Sequence, residues 1–205
     1  MSTLQGQAGR RALVYVMALW SGFFVMAIEL LGGRLLSPNF GSSIYVWGAI
    51  ITVFMLALSL GYLAGGHWSK QSPSLARLSG LLGIAALTAL PVLPLAGEPL
   101  ERLAIAIPDP RFGALTAAAV LFFIPTFVSG MVSPYCVRLI IDGDGTSGHR
   151  AGQLYFVSTF GSAAGTILTS FYLVLWFEVN AILLCMTALS IVLSLLGLVA
   201  GRTRP

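Results

Sequence analysis

The sequence predicts an all-α integral membrane protein with six transmembrane helices. Hydrophobic residues make up 57% of its 205 residues and charged residues only 9%, whereas soluble domains carry about 25% charged residues. The mean hydropathy is +0.92. Since a membrane-spanning helix needs roughly 20 mostly apolar residues, a chain of this length has room for six or seven crossings joined by short loops.

Charged and turn-forming residues divide the chain into six apolar segments. The predicted helices are residues 12–36, 44–66, 78–96, 113–140, 152–177 and 181–200. We expect residues 12–201 to form one six-helix domain, with short tails at 1–11 and 202–205. Pro91 and Pro94 lie near the end of the third segment, where a kink is expected because neighbouring helices can satisfy the carbonyls that proline frees.

The basic residues indicate how the helices are oriented. Eight lie on the side that would carry both termini and three on the other, namely Arg10, Arg11, Lys70, Arg77, Arg138, Arg150, Arg202 and Arg204 against Arg34, Arg102 and Arg111. Because short cytoplasmic loops are enriched in Lys and Arg, we expect both termini in the cytoplasm and a multi-pass protein of the plasma (inner) membrane. Scattered singly, these cations form no patch that would indicate nucleic acid binding.

The sequence contains no pattern typical of catalysis or metal binding. Cys136 and Cys185 lie inside apolar segments without CxxC or Cys/His spacing, which excludes the usual disulfide and zinc signatures. There is no Ser/His/Asp set, no phosphate-binding loop and no carboxylate pair at catalytic spacing. We therefore expect no catalytic residue, no metal and no cofactor, and the chain is not predicted to be an enzyme.

Glu29 is the acidic residue that membrane topology explains least. It lies roughly 27 Å from the start of the first segment at 1.5 Å per residue, in the outer part of the membrane. Acids at such depth usually mark ion or substrate pathways. Two structural alternatives stay open. The carboxylate could reach the outer headgroups, or it could pair with Arg34 if the helix unwinds at Gly32 and Gly33, since positions five apart otherwise point about 140° apart.

The turn between the first two segments, residues 33–47, is rich in hydrogen-bonding groups. Pro38 and Gly41 are expected to end the first helix, and Ser42 or Ser43 to cap the second. A plain capped turn would place its aromatic residues in the interfacial belt, whereas an inward fold would bring polar groups to a helix N-terminus suited to a polar or anionic ligand. The candidate residues of this turn are Asn39, Ser42, Ser43 and Tyr45.

Segments four and five carry the other polar cluster. Ser158, Ser162 and Thr166 recur at four-residue spacing and therefore share a helix face. Hydrogen bonds between helices would explain this face, and so would a solvated transport path. The candidate residues of this cluster are Tyr135, Arg138, Gln153, Tyr155, Ser158 and Ser162.

Two glycine pairs indicate close helix packing. Gly61 and Gly65 in segment two, and Gly161 and Gly165 in segment five, have the GxxxG spacing that lets membrane helices approach. Each pair lies on the middle helix of a three-helix half, and these two helices run in opposite directions. Their positions are typical of an inverted repeat.

Five motifs cover most of the chain. They are Glu29 with Arg34, Leu35, Leu36 and Pro38; FGSSIYVWG at 40–48; LSLGYLAGG at 58–66; GMVSPYCVRL at 130–139; and AGQLYFVSTFGSAAGT at 151–166. Together they resemble the membrane portion of the fused major-facilitator/spermidine-synthase family. The resemblance implies a six-helix unit like one half of a major-facilitator transporter, built as a 3+3 inverted repeat.

Fused members of that family carry a soluble synthase-like domain after the membrane helices. Such a domain needs a Rossmann-like fold with a glycine-rich loop, and these 205 residues contain no pattern of that kind. Aminopropyl transfer is therefore not expected of this chain.

The leading hypothesis is a small-molecule transporter in which two copies pair as a homodimer in the lipid bilayer, with Glu29 as its proton or cation site. A polyamine is the substrate class that the resemblance implies. Two alternatives remain: a non-transporting membrane subunit that recruits or feeds a separately encoded, soluble synthase-like enzyme, and a lipid-handling protein that uses the same polar residues on a headgroup.

Overall fold

The chain folds into long helices joined by short turns. The computed structural model describes residues 2–71, 73–141 and 147–202, and no β-strand occurs among them. Six helical stretches are long and apolar enough to cross a membrane. The predicted all-α, six-helix membrane architecture is therefore confirmed. Residues 1 and 203–205 of the predicted tails, with Arg204, lie outside the described residues.

We number the helices in chain order. Their bounds are α1 Ser2–Phe40, α2 Ile44–Trp68, α3 Leu75–Ala89, α4 Val92–Leu95, α5 Glu98–Ala106, α6 Pro110–Ile140, α7 Ser147–Leu168, α8 Val174–Trp176 and α9 Val179–Arg202. A π-helical turn, Thr169–Leu173, joins α7 to α8. The membrane spans are α1 from Gly9 onward, α2, α3 with α4, α6, α7 with α8, and α9.

Helix α1 continues to Phe40, past the predicted end at Leu36, and Pro38 does not terminate it. Proline lacks the N–H that would bond to the carbonyl four residues back, here that of Arg34. The Ser37 hydroxyl donates a hydrogen bond to this carbonyl over 3.2 Å. The local sequence therefore replaces the lost backbone hydrogen bond, and the helix continues.

This replacement leads to a testable prediction. Ser37→Ala should lower the free energy of unfolding by about 0.5 to 1 kcal/mol, the usual contribution of one hydrogen bond. In a Pro38→Ala background the backbone N–H is restored, so the same change should have no effect. Thermal melting of the four variants of this double-mutant cycle in detergent measures both effects. An equal loss in both backgrounds would contradict the proposed replacement.

Gly41 and Ser43 form the turn that follows. Gly41 adopts a φ of +78°, the left-handed conformation that glycine accepts at a helix end. Ser43 occupies the N-cap position of α2 as predicted, but its side chain makes no capping hydrogen bond. Its carbonyl instead accepts hydrogen bonds from the backbone N–H groups of Val46 and Trp47.

The third span is interrupted where only a kink was expected. Helix α3 ends at Ala89, and the one-turn helix α4 starts at Val92. At the interruption the N–H of Leu90 bonds to the carbonyl of Leu87, three residues back. Pro91 has no N–H to continue the α-helical pattern, so the chain tightens before resuming.

Four helices form a row and two lie behind it. The order along the row is α7, α1, α6, α2, with the most extensive contacts between α2 and α6 and between α1 and α7. Behind the row, α9 packs against α1, α3 packs against α6, and α3 and α9 pack against each other. The helices at the two ends of the row, α2 and α7, are not among the pairs with appreciable contact.

Glycines hold the row together at the α2–α6 interface. A Cβ atom on Gly61 would collide with the backbone at Phe127 and Gly130, and one on Gly65 would collide with the backbone at Met131. These two glycines are therefore the reason the helix backbones can touch.

The α1–α7 interface repeats this arrangement with different residues. Cβ atoms on Gly161 and Gly165 would collide with the backbone at Leu19 and Phe23. Thus the glycine pair of α7 corresponds to that of α2, and its partners on α1 correspond to Phe127 and Met131 of α6.

A single hydrogen bond marks the centre of this symmetry. The Ser21 hydroxyl of α1 donates to the Ser129 carbonyl of α6 over 3.4 Å. Ser21 precedes Gly22 as Ser129 precedes Gly130, and these two glycines also contact corresponding helices, α7 and α2. Because each half has three crossings, the second half crosses the membrane in the opposite orientation to the first. The matching contacts of α1 with α7 and of α6 with α2 therefore agree with the predicted inverted repeat.

Candidate functional site

The row of four helices has one face that α3 and α9 do not cover. We call this uncovered face the groove, with α1 and α6 in the middle as its floor and α2 and α7 at the two ends as its walls. The wall built by α7 and α8 has the lowest mean hydropathy of the six spans, 1.3 against 1.9–2.6. It is also the least buried, at 17% against 39–56%. The most polar span is therefore the one that other helices of this chain cover least.

Glu29 lies on the stripe of α1 that packs against the two walls, α7 and α2. It is seven residues after Gly22 and four before Gly33, spacings that keep all three on one helix face. A Cβ on Gly22 would touch the Ser158 carbonyl of α7, and one on Gly33 would touch the Trp47 ring of α2. Glu29 is thus held between the α7 wall and the far end of the α2 wall.

Glu29 is a largely buried residue whose carboxylate has no partner among the described residues. Its exposed fraction is 8%, and no hydrogen bond or ion pair of the described residues involves it. Arg34 is exposed, and the ion pair considered between them does not form. The reason is that Gly32 and Gly33 remain helical, so the two side chains keep their divergent directions.

Ser158 and Ser162 lie on the face of α7 that packs against α1. Ser162 Oγ donates to the Ser158 carbonyl over 3.2 Å, and Thr166 Oγ1 donates to the Ser162 carbonyl over 3.0 Å. Both Ser158 and Ser162 would contact a Cβ on Gly22, which confirms that they share a face. These hydrogen bonds stay within α7, so hydrogen bonding between helices does not account for this polar face.

Two tyrosines lie toward the side of the membrane that carries the termini, Tyr155 on α7 and Tyr62 on α2. Both are about half exposed, at 57% and 48%. Tyr155 was a sequence candidate, whereas Tyr62 was missed because it lies in an apolar segment without polar neighbours.

Tyr135 and Arg138 lie apart from the groove centre. Tyr135 is fully buried, its Oη accepts a hydrogen bond from the Ser74 N–H over 3.2 Å, and its ring meets Trp68 edge-on at 6.2 Å. It therefore fixes the turn between α2 and α3. Arg138 is exposed in the last turn of α6 and lines a shallow cleft beside Lys70.

Gln153 links the groove wall to its floor near the start of α7. The Tyr15 hydroxyl donates to Gln153 Oε1 over 3.3 Å, and Gln153 Nε2 lies 3.1 Å from His149 Nε2. An open cleft of about 640 Å³ surrounds them. Its lining residues are Tyr15, His149, Gly152, Gln153, Phe156 and Val157.

The turn between α1 and α2 does not fold inward. Because α1 continues to Phe40, only residues 41–43 connect the two helices, which is too short to reach the level of Glu29. Ser42, Ser43 and Tyr45 are exposed, and Asn39 is half-buried. The Arg111 guanidinium lies 4.6 Å from the centroid of the Tyr45 ring, so this end of the bundle is a plain turn with an aromatic contact.

Two buried hydroxyls have a position that sequence reasoning missed. Thr169, at the start of the π-helical turn, and Thr187 of α9 are buried, and their Oγ1 atoms have no hydrogen-bond partner among the described residues. A threonine in an apolar segment gives no sequence signal of this kind, because most helical hydroxyls bond to their own backbone.

Comparison with known proteins gives no assignment. No known protein family, curated protein or solved structure matches the chain. Within residues 2–71, 73–141 and 147–202, no three His, Cys, Asp or Glu side chains lie close enough together to hold a metal ion. Function is therefore argued from the geometry of the groove.

Proposed function

We propose that this chain is one half of a small-molecule transporter, in which two copies pair with their grooves facing each other. Glu29 loads and releases the coupling proton or cation. The supporting observation is that the span with the lowest mean hydropathy is the least buried, 17% against 39–56% for the others. A second copy that covers this span would keep its polar side chains away from hydrocarbon.

A second copy suits the composition of both groove walls. The two walls, α2 and α7, expose large apolar side chains that could pack against another protein, including Leu60, Leu63, Phe156 and Phe160. Pairing through these rims would seal the groove from lipid while leaving its polar centre as a cavity. Transporter sites commonly lie near the bilayer midplane between two repeats.

The basic residues support the orientation of the pair. With eight of eleven on the side of the termini, that side is cytoplasmic in the proposed plasma-membrane topology. Tyr62 and Tyr155 then lie nearer the cytoplasm, while Glu29 lies nearer the outer surface.

A polyamine is the substrate class that we favour. Pairing two grooves would place two Glu29 carboxylates in one cavity, and once they release the coupling ion their charge complements an elongated dication such as putrescine. Its ammonium groups would replace the missing partners of these acids. The sequence resemblance to proteins fused to spermidine synthase agrees with this class, as an analogy at the level of the family.

Cross-linking tests the pairing. In a background in which Cys136 and Cys185 are replaced by alanine, we expect Ser59→Cys and Thr159→Cys to yield covalent dimers with a short bismaleimide. Both positions are exposed on the groove walls. The measurement is gel mobility after reaction at low protein density in liposomes.

The matched control is Leu196→Cys. Leu196 is 54% exposed on α9, behind the row, and should give no dimer. Dimers through Leu196 with none through the groove positions would contradict the proposal, and would favour the alternative of a membrane subunit whose groove receives another molecule.

A further inference from the structure

Hydroxyl groups in the helices of this protein usually bond to the carbonyl one turn back. The residues that do so are Ser59, Ser79, Thr88, Thr116, Ser129, Ser162, Thr166 and Ser190. Thr169 is fully buried yet forms no such bond. A buried hydroxyl without a partner costs about 1 to 3 kcal/mol. Thr187 shares this feature, so the surroundings of each threonine decide which of them suits a ligand.

Thr169 faces α1 at the depth of Glu29. It follows Gly161 and Gly165 at four-residue intervals, and these glycines meet Leu19 and Phe23. One turn further along the two parallel helices, Thr169 reaches the level of residue 27. Glu29 is about 3 Å beyond at 1.5 Å per residue, and helical side chains lean toward the N-terminus of their helix, which brings its carboxylate back to that level.

The backbone at Thr169 is also unusual. The segment Thr169–Leu173 is π-helical, and the N–H of Val174 bonds to the Thr169 carbonyl five residues back. Single π-helical turns often mark functional sites, because they displace backbone groups from the regular hydrogen-bond ladder. Carbonyls of distorted membrane helices are common ligands for Na⁺.

We propose that Glu29 and Thr169 form a binding site for Na⁺ between α1 and the π-helical turn. This proposal rests on the proposed function, which gives Glu29 the coupling role, and it specifies that the coupling ion is Na⁺. Carboxylate, hydroxyl, carbonyl and water oxygens are ligands for hard cations. One carboxylate supplies a single negative charge, so a monovalent ion leaves the buried site neutral.

Thr187 provides a matched control. Its exposed fraction is 3%, and its hydroxyl also lacks a hydrogen-bond partner among the described residues. It shares a face of α9 with Ser194, seven residues later, whose hydroxyl bonds to the Ser79 carbonyl of α3 over 2.7 Å. Thr187 therefore faces α3, away from the groove, and has no carboxylate beside it.

The experiment compares melting temperatures of the purified full chain in NaCl and in choline chloride at equal ionic strength and constant pH. At a hundredfold excess over its Kd, Na⁺ should raise the melting temperature of the parent by roughly 5 to 10 °C. Glu29→Gln and Thr169→Val should remove this rise. Thr187→Val should keep it, although both valine variants lose a buried unpaired hydroxyl and should melt higher in choline.

Two results would overturn the site: no rise specific to Na⁺ in the parent, or a full rise in Thr169→Val. Should that variant fail to fold, Thr169→Ser must retain the rise and Thr169→Ala must lose it. A parent that responds to Na⁺ but does not cross-link through its groove would keep the site and refute the paired transporter. A groove dimer without a Na⁺ response would refute only the ion.

Discussion

Gly161→Leu is expected to leave little folded protein, and Gly61→Leu to do the same. At both positions even a Cβ atom would collide with the backbone of the neighbouring helix, Leu19 of α1 in one case and Phe127 of α6 in the other. The helix backbone cannot change rotamer to make room, as a side chain can. Overpacking a tight core typically costs 1 to 3 kcal/mol, and more where helices must separate. Size-exclusion chromatography and thermal melting measure the loss.

Exposed glycines on the same two helices serve as controls. Gly152 of α7 and Gly48 of α2 are exposed, with no heavy atom near the position of a Cβ. Leucine there should be tolerated, and the helix should gain up to about 1 kcal/mol from the higher helix propensity. If Gly161→Leu melts like Gly152→Leu, α1 and α7 do not pack as described. If only one of Gly161→Leu and Gly61→Leu lowers the melting temperature, the two halves are not structurally equivalent.

The number and approximate positions of the spans followed from hydropathy, because a membrane helix must satisfy its backbone internally whatever its neighbours. Local chemistry caused the errors at the ends. Pro38 alone predicts a helix terminus, and the compensating Ser37 hydroxyl depends on a side-chain rotamer that the sequence does not specify. At Pro91 a kink within one helix was expected, and the helix is interrupted instead.

The candidate site was harder to predict because polarity identifies groups that need partners without saying which neighbours supply them. Tyr135 and Ser162 were chosen on the same ground, yet Tyr135 binds the Ser74 backbone and Ser162 borders the groove. Thr169 was missed for the converse reason. Its lack of a partner comes from a π-helical turn that helix periodicity does not reveal.

Helical rise alone predicted that Glu29 lies well inside the first span, and the structure buries it there, at 8% exposure. Its partner could not be predicted. A sequence distance of five residues left an ion pair with Arg34 open, and only the unbroken helix through Gly33 excludes it. The groove around Glu29 depends on the register of α1 against α7, which arises from packing between residues far apart in the chain.

Glu29→Gln is expected to lower gradient-driven uptake of labelled putrescine into proteoliposomes by at least about tenfold, since an amide cannot exchange a proton or balance a cation in the membrane. It should not lower the melting temperature in choline chloride, because the carboxylate has no partner to lose. Glu178→Gln is the matched control: the same chemical change at an exposed position between α8 and α9, where uptake should match the parent.

Arg34 distinguishes this role from a structural one. Breaking a buried ion pair on one side costs about 3 to 5 kcal/mol, so a partnership with Glu29 would make Arg34→Gln strongly destabilising. Because Arg34 is exposed, we expect the variant to melt like the parent. We also expect the Glu29→Arg, Arg34→Glu double variant to be no more stable than Glu29→Arg alone. Recovery in that double variant would assign Glu29 to the scaffold, whereas parent-like uptake by Glu29→Gln would remove it from the transport mechanism.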